Sequence, residues 1–149
     1  METRTRFFIA IGLLILVLGI ALFTFSTRNQ EPAQVFPAAI NRDCAPWDGA
    51  AFTLSFRYDP VTTITISIWQ PPSFTFPVTF SFPDETGRDG IAYSLPELGP
   101  LEELTGTVTF RRVQEGLPVE GEFNFTTESG KLFKGRFNAE WGNEVVYCG

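Results

Sequence analysis

Histidine is absent from the 149 residues. That removes the commonest general base near neutral pH, the usual serine-hydrolase triad and most zinc or haem ligation. Carboxylates, thiols and indoles remain. Glu120 and Glu122 share one face of a period-two stretch, and a glycosidase needs two carboxyls flanking a bond. The hairpin expected over residues 119–141 sets Arg136 opposite Glu122, so an ordinary cross-strand ion pair is the better reading. The turn Asp84-Glu85-Thr86-Gly87-Arg88-Asp89 offers oxygen ligands for calcium but lacks the alternating acidic spacing of an EF-hand loop. Acidic turns are usually just solvated, and Glu102-Glu103 reads the same way. Asn124-Phe125-Thr126 matches the N-glycosylation acceptor pattern, but mid-strand rather than in a loop. No catalytic, cofactor or metal site is expected, and the protein is read as a non-enzyme.

The thiols suggest structure rather than catalysis. There are two cysteines, Cys44 where the β-patterned region starts and Cys148 close to the last residue. In an oxidising compartment such a pair is expected to form a disulfide tying the first segment to the last. Closing a loop of about 100 residues contributes about 4–5 kcal/mol in the chain-entropy model. No thiol then remains for a metal or a nucleophile.

Three tryptophans raise the question of a binding platform. Trp141 falls on an inner face and is assigned to the core. Trp47, just after Cys44 and Pro46, is expected to pack over the bridge. Trp69 shares a hydroxyl-rich outer face with Thr63 and Thr65 and precedes Gln70-Pro71-Pro72. Trp69, Thr63, Thr65 and Gln70 are therefore the candidate contact surface.

These residues depend on two kinds of element. From Phe7 to Phe25 the chain reads FFIAIGLLILVLGIALFTF, without a charge. Roughly 19 residues rising about 1.5 Å each reach about 28 Å, close to the hydrocarbon thickness of a bilayer. A helix apolar on every face belongs in lipid or deep inside a large protein. A cleaved signal has a shorter apolar core and then small residues, whereas this run ends Leu22-Phe23-Thr24-Phe25-Ser26. An uncleaved signal anchor over 7–26 is expected. Arg4, Arg6 and the terminal amine precede it and Arg28 alone follows closely, so the positive-inside rule places residues 1–6 in the cytoplasm and the rest beyond the membrane. Gly12 and Gly19 lie seven apart on nearly one face and offer a groove for another helix.

Residues 27–43 are expected to be a Pro-containing linker, with Pro32 and Pro37 favouring extended chain. Phe36 and Ile40 leave open that part of it packs on the domain. Residues 44–149 form the expected extracytoplasmic β-domain. Of the 11 basic and 17 acidic residues, Arg4, Arg6, Arg28 and Glu2 precede or flank it, leaving eight and sixteen beyond. Such an acidic surface argues against nucleic acid and against docking on anionic lipid.

Within the domain the apolar period is two. Phe52, Leu54, Phe56 and Tyr58 alternate with polar residues, as do Ile64, Ile66 and Ile68, and then Phe74, Phe76, Val78, Phe80 and Phe82. Pro77 cannot donate to a ladder, so its strand belongs at an edge or a bulge. A short strand is expected over 91–95, and a last one over 144–148. Around Glu128-Ser129-Gly130 a three-residue hairpin loop, with Gly130 left-handed, pairs Phe125 with Phe133, Phe123 with Gly135 and Gly121 with Phe137. The outer face of that hairpin then sets Asn124 opposite Lys134. Setting Phe110 against Val119 in the preceding hairpin places Gly106 opposite Phe123.

About eight short strands and no amphipathic helix predict an all-β antiparallel sandwich, with a small β-barrel as the alternative, after one N-terminal transmembrane helix. Twelve of the sixteen phenylalanines lie outside the span, enough to fill such a core. The function expected is that of a non-enzymatic, membrane-anchored accessory or structural subunit, held in the bilayer by 7–26 and contacting an integral membrane protein. The rival is a tethered module binding carbohydrate or protein at the Trp69 surface.

Overall fold

The computed structural model describes residues 33–69 and 75–148. The expected span, with Gly12 and Gly19, the cytoplasmic tail and Gln70 lie outside them. Among the described residues no helix is long and apolar enough to cross a membrane.

Eight strands make up the folded unit: β1 (Val35–Cys44), β2 (Ala50–Asp59), β3 (Thr62–Ile68), β4 (Val78–Phe82), β5 (Gly90–Pro96), β6 (Glu102–Arg112), β7 (Val119–Thr127) and β8 (Leu132–Trp141). The fold is all-β, as expected, but a barrel replaces the expected sandwich. Seven strands close a ring in the order β6-β5-β3-β2-β1-β8-β7, and β7 returns to β6. The closing piece is β1, which pairs antiparallel with β2 and parallel with β8. Without it, β2 and β8 would each keep an open edge.

This corrects the expected domain boundary. Most of the segment assigned to a linker is strand, and the compact unit begins at Gln34. Phe36 and Ile40 point into the core, 3% and 0% exposed. Pro37 is tolerated because of its place in the ladder. The Gln34 carbonyl accepts from Arg136 of β8 and the Ile40 carbonyl from Gly142 just beyond it, so the odd residues of β1 aim their backbone groups at β2. Pairing with β2 starts only at Ala38, and the N–H that Pro37 lacks therefore has no ladder partner to lose. The expected strand over 144–148 is absent, since residues 142–148 have no regular structure. Cys148 is nonetheless bonded to Cys44, with Cα atoms 5.5 Å apart, an ordinary disulfide separation.

The eighth strand, β4, lies outside the ring. It covers the edge of β6 over Gly106–Phe110, where β5, paired to β6 only at Glu102 and Glu103, has already diverged. The placement agrees with the reading of Pro77, which immediately precedes this edge strand.

The hairpin of β7 and β8 has the expected register, including Phe125–Phe133, Phe123–Gly135, Gly121–Phe137 and Asn124–Lys134. Gly130 sits at φ 88°, the left-handed conformation this loop requires. The hairpin of β6 and β7 keeps the expected inner face but is displaced by two residues. Phe110 lies opposite Gly121 and Gly106 opposite Phe125. A bulge between Phe110 and Arg112 and a turn closed by Leu117 N–H on the Gln114 carbonyl at 3.1 Å set that register.

Phenylalanine rings fill the barrel. Phe36, Phe56 and Phe123 meet at centroid distances of 4.8–5.8 Å. Phe110 sits edge-on to Phe52 and Phe137 at 5.4 and 5.5 Å. Two glycines make room: a side chain at Gly121 would strike the Phe137 ring, and one at Gly135 would meet Phe36. Large rings seated on glycine let strands stay close while the interior remains full.

Candidate functional site

The barrel has two ends. One carries the last residues of β1, β3, β6 and β8, the first of β2, β4, β5 and β7, and the disulfide; it is the bridge end. The other carries the start of β1 and the turns joining β2 to β3, β5 to β6 and β7 to β8; it is the Val35 end.

A cleft of about 340 Å³ opens at the bridge end. Phe52, Phe76, Phe80, Val113, Trp141 and Val146 give it apolar walls, with Arg42, Asp43 and Glu115 among them. The lining comes from β1, β2, β4, β8, the loop after β6 and the C-terminal tail, brought together because the ring closes. The polar groups are already engaged. Arg42 pairs with Glu115, donates to the Glu144 carbonyl at 3.1 Å and lies 6.0 Å from the centroid of Trp141. Asp43 accepts from Thr53 Oγ1 at 2.7 Å and from the Cys44 N–H at 2.8 Å. Trp141 donates its indole N–H to the Gln114 carbonyl at 3.0 Å. Trp141 is thus a half-buried wall anchored by its polar edge rather than a fully buried core residue.

With its charged groups tied to the protein itself, the cleft offers shape and apolar surface. It suits an aliphatic or aromatic side chain of a bound segment. Among the described residues its carboxyls are Asp43 and Glu115, both engaged within the protein.

The other singled-out residues lie elsewhere. Trp69 is half-buried and packs against Trp47, ring centroids 5.9 Å apart at 85°. Trp47 therefore meets Trp69, and the residue remains 47% exposed. Thr65 is buried and Thr63 half-buried, which leaves little free hydroxyl surface on that face. Glu122 stands opposite Arg136 in register, yet its ion pair is with Arg111 on β6, at 3.7 Å. Glu120 is exposed on the same outer face, away from the cleft.

The acidic turn holds itself together. Asp84 Oδ2 accepts from Thr86 Oγ1 at 2.6 Å and from the N–H groups of Arg88 and Asp89 at 3.1 and 3.2 Å. The Thr86 hydroxyl and those backbone donors hold this carboxyl below its ordinary value against the opposing effect of desolvation. Among the described residues no group of three or more His, Cys, Asp or Glu could hold a metal ion.

As candidates for a bridge or a binding role, sequence reasoning singled out Trp141 and Cys148 of the cleft lining. Phe52, Phe76, Val78 and Phe80 were legible only as apolar strand positions, and Arg42, Val113, Glu115 and Val146 carry no local signal, because what unites them is position at one end of a closed ring. Compared with protein-family models, with curated proteins and with solved structures, the chain matches none.

Proposed function

We propose that the protein is a non-enzymatic, membrane-anchored accessory subunit, its barrel outside the cytoplasm, which receives an apolar segment of a partner membrane protein in the bridge-end cleft. The observation that carries this reading is the cleft itself, whose walls are apolar and whose Arg42, Asp43 and Glu115 are engaged within the protein. The uncharged run from Phe7 to Phe25 supports the anchor. A barrel filled with phenylalanine rings supplies a rigid support rather than an internal ligand chamber.

The test places a photoreactive phenylalanine analogue at Val146, 37% exposed at the cleft, or at Lys134, exposed on the outer wall of β8. Irradiation of native membranes is expected to give a discrete crosslinked product from position 146 and none from position 134. Only monomer from both positions would contradict the subunit reading.

A tethered carbohydrate-binding module is the second reading, favoured by the exposed Trp47 ring beside Trp69, since exposed aromatic faces stack on sugars.

A further inference from the structure

Exposed aliphatic side chains gather at the Val35 end. Leu98 is 92% exposed, and Val35, Val61, Leu95, Leu101 and Leu132 are each close to half exposed. They come from the start of β1, the β2–β3 turn, the end of β5, the β5–β6 loop and the start of β8. The turns are fastened together. Glu97 N–H donates to the Val61 carbonyl at 2.6 Å, and Lys131 in the β7–β8 turn lies 3.6 Å from Asp59 at the end of β2. The side chains therefore form one rim rather than scattered surface residues. Scattered apolar residues need no explanation, but a contiguous rim does.

The chain outside the folded unit indicates what covers it. The apolar run ends at Phe25, and β1 begins at Val35, on this same rim. The ten Cα-to-Cα steps between them span at most about 35 Å, so an anchor in lipid would keep this end within reach of the membrane surface. Such a tether raises the effective concentration of the rim at that surface to on the order of millimolar, enough to populate an insertion too weak to hold alone. Asp59, Glu97, Glu102, Glu103 and Glu128 belong to this end of the barrel, with Lys131 among them and Arg136 paired in register with Val35, so carboxylates outnumber the cations. That balance repels anionic headgroups and is compatible with zwitterionic ones.

We infer that the Val35-end rim, led by Leu98 and Leu101, inserts into the interface of a zwitterionic bilayer and seats the barrel on the membrane with its bridge-end cleft turned outward. This inference rests on the membrane-anchor part of the proposed function.

The native tryptophans provide an internal control, because Trp47, Trp69 and Trp141 all belong to the bridge end. Full-length protein is reconstituted into phosphatidylcholine vesicles, as native sequence and as Leu98→Trp. Leu98 is almost wholly exposed, so its replacement leaves the core untouched. Replacing plain lipid with lipid brominated on its acyl chains is expected to quench the emission added by Leu98→Trp at least about twofold, an indole at the interface lying within reach of the bromines, while native emission stays unchanged. An added charge in the rim, Leu98→Trp with Leu101→Glu, is expected to remove that quenching. Protein that floats with the vesicles but shows no quenching of the added indole would overturn the rim insertion and leave the anchor standing. Quenching of the native emission would overturn the orientation. Protein that fails to float with the vesicles would refute the anchor and, with it, the rim insertion.

Discussion

Arg42 reaches three separate segments: the Glu144 carbonyl in the C-terminal tail, the Glu115 carboxylate in the loop after β6, and the face of Trp141. An exposed ion pair alone contributes little, and here the arrangement works together with the disulfide. Residues 142–148 have no ladder of their own, so the bridge is what returns Cys148 to the end of β1. The cysteines are 104 residues apart. Cys44→Ser combined with Cys148→Ser is expected to lower the unfolding free energy by about 4–5 kcal/mol, the loop-closure value, measured by urea titration of full-length protein in detergent. A loss below about 1 kcal/mol, within the range of an ordinary surface change, would show that the tail is held by other means.

The strands differ in how plainly their residues announce them. Over β2 and β3 the alternation is strong, because bulky apolar side chains occupy every second position from Phe52 and from Ile64 onward, and in β7 and β8 Phe123, Phe125, Phe133 and Phe137 mark the inner face around small residues. The β7–β8 register was legible because a loop as short as Glu128–Gly130 admits few closures. The β6–β7 register was not, since the connection over 113–118 is longer and an added bulge shifts the count without changing which face is inner. Least legible was β1, where Pro37, Ala38 and Ala39 dilute the signal of Phe36 and Ile40, and its pairing with β8 is about 100 residues distant. The cleft was illegible for the same reason, being assembled from strand ends that only closure brings together. If β1 closes the barrel, its two faces must respond differently. Phe36→Ala is expected to cost about 3–5 kcal/mol, as for a buried ring removed from a packed core. Val35→Ala, at an exposed position, should stay within about 0.5 kcal/mol. Equal small effects at both positions in thermal or urea unfolding would return this segment to a linker.

At the scale of the molecule the two ends of the barrel differ in chemistry. The bridge end has an apolar cleft whose charges are internally paired, and the Val35 end has aliphatic side chains among carboxylates. Among the described residues the seven-strand ring closes on itself and the five-residue β4 is the edge strand outside it. The proposed placement of the barrel beyond the membrane is the premise of both the reading of the cleft as a partner site and the inferred seating of the rim. It is tested most directly by fusing a protease-sensitive epitope after Gly149 of the full-length protein and adding protease to sealed, right-side-out cells. The account predicts that the epitope is lost from intact cells while a cytoplasmic control survives. An epitope that persists until the cells are lysed would contradict it.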